Sequence, residues 1–255
     1  MQADVDLLVI GAGINGAGIA ADAAGRGLSV MICDKDDLGG ATSSASSKLI
    51  HGGIRYLEQM NFSLVRESLK ERDVLLKTAP HLVRPLQFIM PFNKKIRPAW
   101  MIRAGLFLYD HLGGYSSLPK SRSLKLNFDH DDNPLCRAYS KAFSYSDCIT
   151  DDSRLVIANL LRAKEKGANI YPRVELIEAS RQNGNWLATL QEKTTQNQFQ
   201  VKAKAMVNAT GPWINDALKI LHHASSYEIK KVKGSHIVVP KLYEGDKAYL
   251  LQHKD

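Results

Sequence analysis

The sequence predicts an α/β fold, a parallel sheet built from βαβ units. Three observations carry that expectation. Residues 1–34 run apolar strand, glycine turn, alanine-rich helix and second apolar strand, the order of a βαβ unit. A helical pattern after Asp151 leads into short strand-like runs on either side of Asn183-Gly184, a strong hairpin signal. Ala205–Asn208 then reads as a returning strand that meets Ala209-Thr210-Gly211-Pro212-Trp213.

Composition sets the bounds. A chain of 255 residues holds one large or two modest domains. With 44% hydrophobic and 24% charged residues, wholesale disorder is excluded. Cys33, Cys136 and Cys148 are sparse, odd in number and lack CxxC spacing, which argues against a disulfide framework or a cysteine-type zinc site. No apolar run reaches the ~20 residues of a bilayer span. The longest, Ala99 to Tyr109, is interrupted by Arg103. Asp4 and Asp6 break the N-terminal run, and no basic segment precedes it as a signal peptide requires. The expectation is a soluble protein, or one that at most rests on a membrane surface.

Val5 to Ile10 is short, β-branched and ended by glycine, so it predicts a buried strand. Gly11-Ala12-Gly13-Ile14-Asn15-Gly16 follows, then a helix over residues 14–26, and Leu28 to Cys33 forms a second strand closed by Asp34. In this G-x-G-x-x-G pattern Gly11 permits the tight turn, Gly13 lets backbone approach a pyrophosphate, and Gly16 lets helix pack on strand. The helix start offers free amides and the positive end of its dipole. The motif is weak alone, and a Rossmann-like unit without a nucleotide is the bland alternative. Here Ala20 and Gly27 keep the helix face small, and Asp34 lies where a ribose hydroxyl is held. An acid there disfavours a 2′-phosphate, so NADP is set aside and NAD and FAD remain.

Residues 41–56 place five Ser and Thr hydroxyls ahead of Leu49-Ile50-His51-Gly52-Gly53-Ile54-Arg55-Tyr56. Such hydroxyls suit a second face of a pyrophosphate, and Gly-Gly lets backbone pass close to a flat ring. Phe62, Val65, Leu69, Val74 and Leu76 predict a helix from Asn61, stopped at Thr78-Ala79-Pro80. Arg84 to Phe92 reads as a strand. From Arg84 to Tyr109 there are five basic residues and no acid, interleaved with Trp100, Phe107 and other apolar side chains. Three readings compete: a helix packed on its own domain with a basic rim, an interfacial patch for anionic lipid, and a nucleic-acid surface. No nucleic-acid module accompanies it, so no nucleic-acid partner is expected. Asp110-His111 reads as a surface or capping pair, and residues 116–133 as a loop. Tyr145-Ser146-Asp147-Cys148 lies near a strand and suggests no chemistry; Cys148 reads as a buried, inert thiol.

Asp151-Asp152-Ser153 opens a helix that Gly167 ends. Val174–Ala179, Trp186–Leu190 and Phe199–Lys202 form a β-meander. Near the C-terminus, Gly234-Ser235-His236 enters an apolar strand, Ile237-Val238-Val239. A histidine there is open between a core residue and an active-site group.

Taken together, VIGAGINGAGIAADAAGRGLSV, ATSSASSKLIHGGIRYLE, RPAWMIRAGLFLYDHLG, YSDC, VNATGPW and KGSHIVVP resemble the FAD-dependent glycerol-3-phosphate dehydrogenases, in the same order and over the whole chain from about Leu7. The resemblance implies an FAD-type Rossmann domain with a β-meander, of the glutathione-reductase and D-amino-acid-oxidase kind. It places this domain at 1–80 and 150–225, with part of an α+β substrate domain at 81–149 and 226–255. The cofactor implied is FAD. Its ligands would come from Gly11, Gly13, Ile14, Asn15, Gly16, Asp34, Lys35, Thr42, Ser43, Ser46, Ser47, Lys48, Leu49, His51 and Gly52. In that pattern Val174 touches the adenine side through backbone, and Ala209, Thr210 and Gly211 approach the dinucleotide again. Asp34 departs from the glutamate usual in the pattern, so its ribose contact would be longer or water-bridged.

The implied reaction is oxidation of sn-glycerol 3-phosphate to dihydroxyacetone phosphate, with electrons passed on to a membrane quinone. A phosphate handle calls for arginine, whose planar fork matches oxyanions. Arg55 is the first substrate ligand, Tyr56 its companion, and a surface Arg55–Glu58 pair the bland alternative. His236 would bind substrate and act as base or orient the hydroxyl. A cytoplasmic, peripherally membrane-bound homodimer completes the implied picture. Family members continue well past Asp255, so this chain is expected to be an N-terminal part that lacks full activity alone. Rival readings are a related flavoenzyme oxidising a 2-hydroxy acid or an amine, and a non-catalytic FAD- or nucleotide-binding RNA module.

Overall fold

Leu8, Val9 and Ile32 lose all contact with water, and the strands that carry them build the first of two sheets. The computed structural model describes residues 2–126, 135, 139–223, 225–227, 229–232 and 234–252. In chain order the elements are β1 (Gln2–Ile10), α1 (Ile14–Gly25), β2 (Val30–Asp34), β3 (Leu49–Ile50), α2 (Phe62–Thr78), β4 (Val83–Pro91) and α3 (Ala99–Leu112). There follow β5 (Arg122–Lys125), β6 (Lys141–Thr150), α4 (Asp152–Glu165), β7 (Asn169–Pro172), β8 (Val174–Gln182), β9 (Asn185–Glu192), β10 (Gln198–Asn208), α5 (Ile214–Ile220) and β11 (Lys247–Tyr249). Contacts divide them into two compact units, Met1–Ser47 with Asp152–His236, and Lys48–Asp151 with Ile237–Asp255.

The first unit holds a six-stranded sheet in the order β7-β2-β1-β10-β9-β8. β7, β2, β1 and β10 run parallel, and β10, β9 and β8 form the antiparallel meander. Strand side chains alternate faces. Val9, Val30 and Ile32 therefore meet Ala17, Ala20 and Ala24 of α1 and Val156, Leu160 and Ala163 of α4 on one side. Leu8, Met31 and Cys33 meet Leu190, Val201 and Ala203 on the other. The alanines of α1 are what let it approach both the sheet and α4.

Two expectations are corrected here, and one strand is added. The returning strand at 205–208 and the last meander strand are one strand, β10, because nothing between Lys202 and Ala205 breaks the chain. β10 pairs antiparallel with β9 and parallel with β1. β7 is an added edge strand, pairing Met31 through Asp34 with Asn169 through Pro172. Ile237-Val238-Val239 is exposed backbone rather than a strand, since no strand among the described residues offers it an edge.

The second unit holds a sheet in the order β11-β4-β6-β3, with β5 also paired to β6. β6 has neighbours on both sides and is buried along nearly all its length. Val65, Leu69, Ile102, Leu106 and Tyr109 of α2 and α3 cover Phe88, Met90, Phe143 and Tyr145. α3 thus packs on its own unit, and its opposite face exposes Trp100, Met101, Phe107 and Leu108. The predicted loop at 116–133 contains β5, which the buried β6 edge recruits. Residues 127–133, Cys136 and Lys233 lie outside the described residues. The unit boundary falls at Ser47 rather than residue 80, because β3 pairs with β6 and α2 packs against β4. Among the described residues no helix is long and apolar enough to cross a membrane, and no cluster of His, Cys, Asp or Glu could hold a metal ion.

Candidate functional site

A cavity of about 510 Å³ opens in the first unit, lined by the turns that follow β1, β2 and β10. Its first wall is the glycine turn. Gly11 N donates to the Cys33 carbonyl at 2.8 Å, and Ala209 N donates to the Ile10 carbonyl at 2.8 Å. Gly11 has φ +100°, and a Cβ there would lie 2.5 Å from the Ala209 carbonyl oxygen. Only glycine meets both conditions. A Cβ on Gly16 would collide with the Gly11 carbonyl, so that glycine sets the closeness of α1 to the turn.

Asp34 holds the turn in place. Its Oδ2 accepts from Ala12 N at 2.7 Å, and its Oδ1 accepts from Asp36 N at 2.9 Å. The carboxylate also lines the cavity, where its remaining lone pairs can meet a hydroxyl. Ser43 Oγ accepts from Ile14 N at 2.9 Å, at the start of α1. Val174, Leu176, Ala217 and Ile220 supply an apolar wall, and Asp36, Asp37, Glu175 and Asp216 an acidic rim. Lys35 Nζ sits 4.5 Å from the centre of the Trp213 ring and interacts with its face. Asp36 is engaged by Lys193 Nζ at 2.9 Å.

The cavity gathers most of the expected cofactor ligands: Gly11, Gly13, Ile14, Asn15, Asp34, Lys35, Thr42, Ser43, Val174, Ala209, Thr210 and Gly211 all line it. Gly16 lies beneath the turn. Ser46 Oγ instead donates to Asp152 Oδ2 at 2.8 Å, and Ser47 is exposed at the end of this unit. Lys48, Leu49, His51 and Gly52 belong to the second unit. Arg55 and Tyr56 are exposed there on a single 3₁₀ turn, Ile54–Leu57. Glu58, the acid of the alternative surface pair, is bridged by Arg97, with Nε to Oε1 at 2.6 Å. His236 is exposed in irregular backbone. Sequence reasoning passed over Trp213 and the Ala217 and Ile220 face of α5. Their signal was present, since Trp213 ends the Ala-Thr-Gly-Pro-Trp run and the other two follow at helical spacing.

These residues fit a dinucleotide. A backbone turn that no side chain can fill, the N-terminus of a twelve-residue helix and an acid beside them form a diphosphate-ribose cradle. Thiol chemistry finds no support among the described cysteines. Burial pushes Cys33 up to about 12 and Cys148 up to about 11, so both remain neutral near pH 7.

The family model for FAD dependent oxidoreductases matches residues 6–254. The chain is 54% identical over 254 residues to the glycerol-3-phosphate dehydrogenase of Pseudomonas tolaasii, covering 98% of this chain and 48% of that one. It is 50% identical over 251 residues to the D-erythritol 1-phosphate dehydrogenase of Brucella abortus, covering 98% of this chain and 50% of that one. The chain thus spans about half the length of these relatives. The crystal structure of the glycerol-3-phosphate dehydrogenase from Bacillus halodurans complexed with FAD aligns with a TM-score of 0.61 at 26% identity, over 85% of this chain and 36% of that one. A glycine turn locked to the end of β10, above a parallel sheet carrying a meander, is thus the fold of a flavin family, and the chain belongs to the FAD-dependent oxidoreductases.

Proposed function

We propose that the chain carries the FAD-binding part of a dehydrogenase for phosphorylated polyols, with sn-glycerol 3-phosphate as substrate and dihydroxyacetone phosphate as product. The cavity at the glycine turn is the observation that carries the cofactor reading. The substrate reading is supported by the 54% identity to a glycerol-3-phosphate dehydrogenase.

When bound, FAD supplies the hydride acceptor. The chain's own residues do the rest. The α1 start and Gly13 hold the pyrophosphate, Asp34 meets the ribose, and the apolar wall with Val174 receives the adenine. The family resemblance further assigns Ser46, Ser47, Lys48, Leu49, His51 and Gly52 to the cofactor. Arg55 grips the substrate phosphate with its planar fork, and Tyr56 assists. His236 takes the hydroxyl proton at an imidazole nitrogen as the alcohol becomes a ketone. A membrane quinone as electron acceptor belongs to the same proposal, as does a homodimer at the inner face of the cell membrane. The membrane part is supported by exposed Trp100, Met101, Phe107 and Leu108 on α3.

The visible absorption spectrum tests the reading. Purified protein loaded with FAD is expected to show an oxidised flavin that bleaches on anaerobic addition of glycerol 3-phosphate, and not with lactate or glycine. D-erythritol 1-phosphate belongs in the same assay because a 50% identical relative is named for it. A preparation that takes up no flavin, beside a full-length relative that does, would reject the proposal.

A further inference from the structure

Helix α2 puts a charge where its pattern calls for an apolar residue. Val65 and Leu69 mark the buried stripe, and Arg72 follows on it with its side chain 6% exposed. Arg72 Nη1 donates to Asp147 Oδ1 at 2.9 Å, and Asp147, in the middle of β6, is 3% exposed. Tyr109 of α3 places its hydroxyl 2.8 and 2.9 Å from the two Asp147 oxygens. The same hydroxyl oxygen accepts from Gly52 N at 2.7 Å. The direction of this chain is unique. An amide can only donate and a carboxylate only accept, so the phenol must accept from Gly52 and donate to Asp147.

Packing alone does not account for the cluster. A buried ion pair is often no better for stability than apolar residues of similar volume. What Arg72 and Asp147 add is a phenol held in one orientation beneath one backbone amide. Gly52 seats against it and against Leu69, since a Cβ there would lie 2.4 Å from Leu69 Cδ2 and 2.9 Å from Tyr109 Cε2. Gly53 follows at φ +69°, its carbonyl accepts from Tyr56 N at 2.9 Å, and its N donates to His51 Nδ1 at 3.0 Å. The turn carrying Arg55 is thus built directly on the anchored amide. Burial raises the Tyr109 hydroxyl well above its ordinary pKa and the Asp147 charge adds to this, so it stays a donor.

We infer that Tyr109, Asp147 and Arg72 are positioning residues: they hold the Gly52–Gly53 turn, and through it Arg55 and Tyr56, at the geometry that grips a substrate phosphate. The inference rests on the proposed role of Arg55.

The test compares flavin-loaded wild type with Tyr109→Phe, which keeps the ring, and with Tyr145→Phe, which removes a hydroxyl from the same aromatic cluster but not from the turn. Hydrogen exchange of residues 49–57 and steady-state kinetics with glycerol 3-phosphate are read on each. Losing one buried hydrogen bond is expected to speed exchange at the turn and raise KM by about tenfold in Tyr109→Phe, with kcat held within about threefold. Tyr145→Phe is expected to change neither, and Asp147→Asn to reproduce the Tyr109→Phe pattern. Unchanged exchange at the turn would overturn the inference, as would faster exchange with an unaltered KM or a fall in kcat alone. Exchange needs no substrate, so a wild type that ignores glycerol 3-phosphate would sink the proposed function, while the exchange data still decide whether the turn is anchored.

Discussion

Asp6 and Asp34 show how one residue type takes two roles on neighbouring strands. Asp34 ties the nucleotide turn, whereas Asp6 ties strand to loop. Asp6 Oδ1 meets Lys204 Nζ at 2.7 Å, and its Oδ2 accepts from Ser29 N at 2.8 Å and from Ser29 Oγ at 2.7 Å. Lys204, then Ser29, hold its carboxyl well below the usual carboxylate range. A carboxyl depressed in the folded state contributes stability above its unfolded pKa of about 3.9, and loses it as pH falls. Asp6→Asn is therefore expected to be less stable than wild type at pH 7, with the gap closing as pH falls from about 5 toward 2. Urea unfolding across that range checks it; a gap constant with pH would contradict the assignment.

At the scale of elements, the face between α1 and α4 leaves no spare room. Ala20 is fully buried there, in the same core as Val156 and Leu160. Overfilling a close-packed core typically costs about 1–3 kcal/mol, so Ala20→Leu is expected to lower the denaturant midpoint accordingly, and an unchanged midpoint would show that α1 is free to shift. α1 itself was legible because its signals are local: a glycine turn before it and small residues along it. β7 was not, since Asn169–Pro172 is mostly exposed and is a strand only because β2 presents an edge. Ile237–Val239 shows the reverse case. Its apolar, β-branched residues satisfy a strand pattern, yet a ladder needs a second strand and none is offered among the described residues.

For the whole molecule, a ligand bound only by the folded state adds about 2.7 kcal/mol when its concentration is 100 times Kd. Rising FAD is therefore expected to raise the melting temperature progressively. Gly11→Ala is expected to lose that increment, because its methyl would press on the Ala209 carbonyl and φ +100° strains any side chain. A melting temperature indifferent to FAD in wild type would mean that the cavity is not the flavin site.

The amino-acid order by itself determined the βαβ start, the acid at position 34 and the meander, because those depend on neighbours within one or two turns and on alternation along a strand; the approach of residues 209–211 was implied by the family resemblance. Tertiary structure decided that two strands are one, that the hydroxyl-rich segment divides at Ser47, with Ser46 bound to Asp152, and that Arg72, Asp147 and Tyr109 converge on Gly52. Those bonds join residues 38 to 106 positions apart. A buried charge has no periodic pattern of its own, and its partner is chosen only when separate helices and strands are brought face to face.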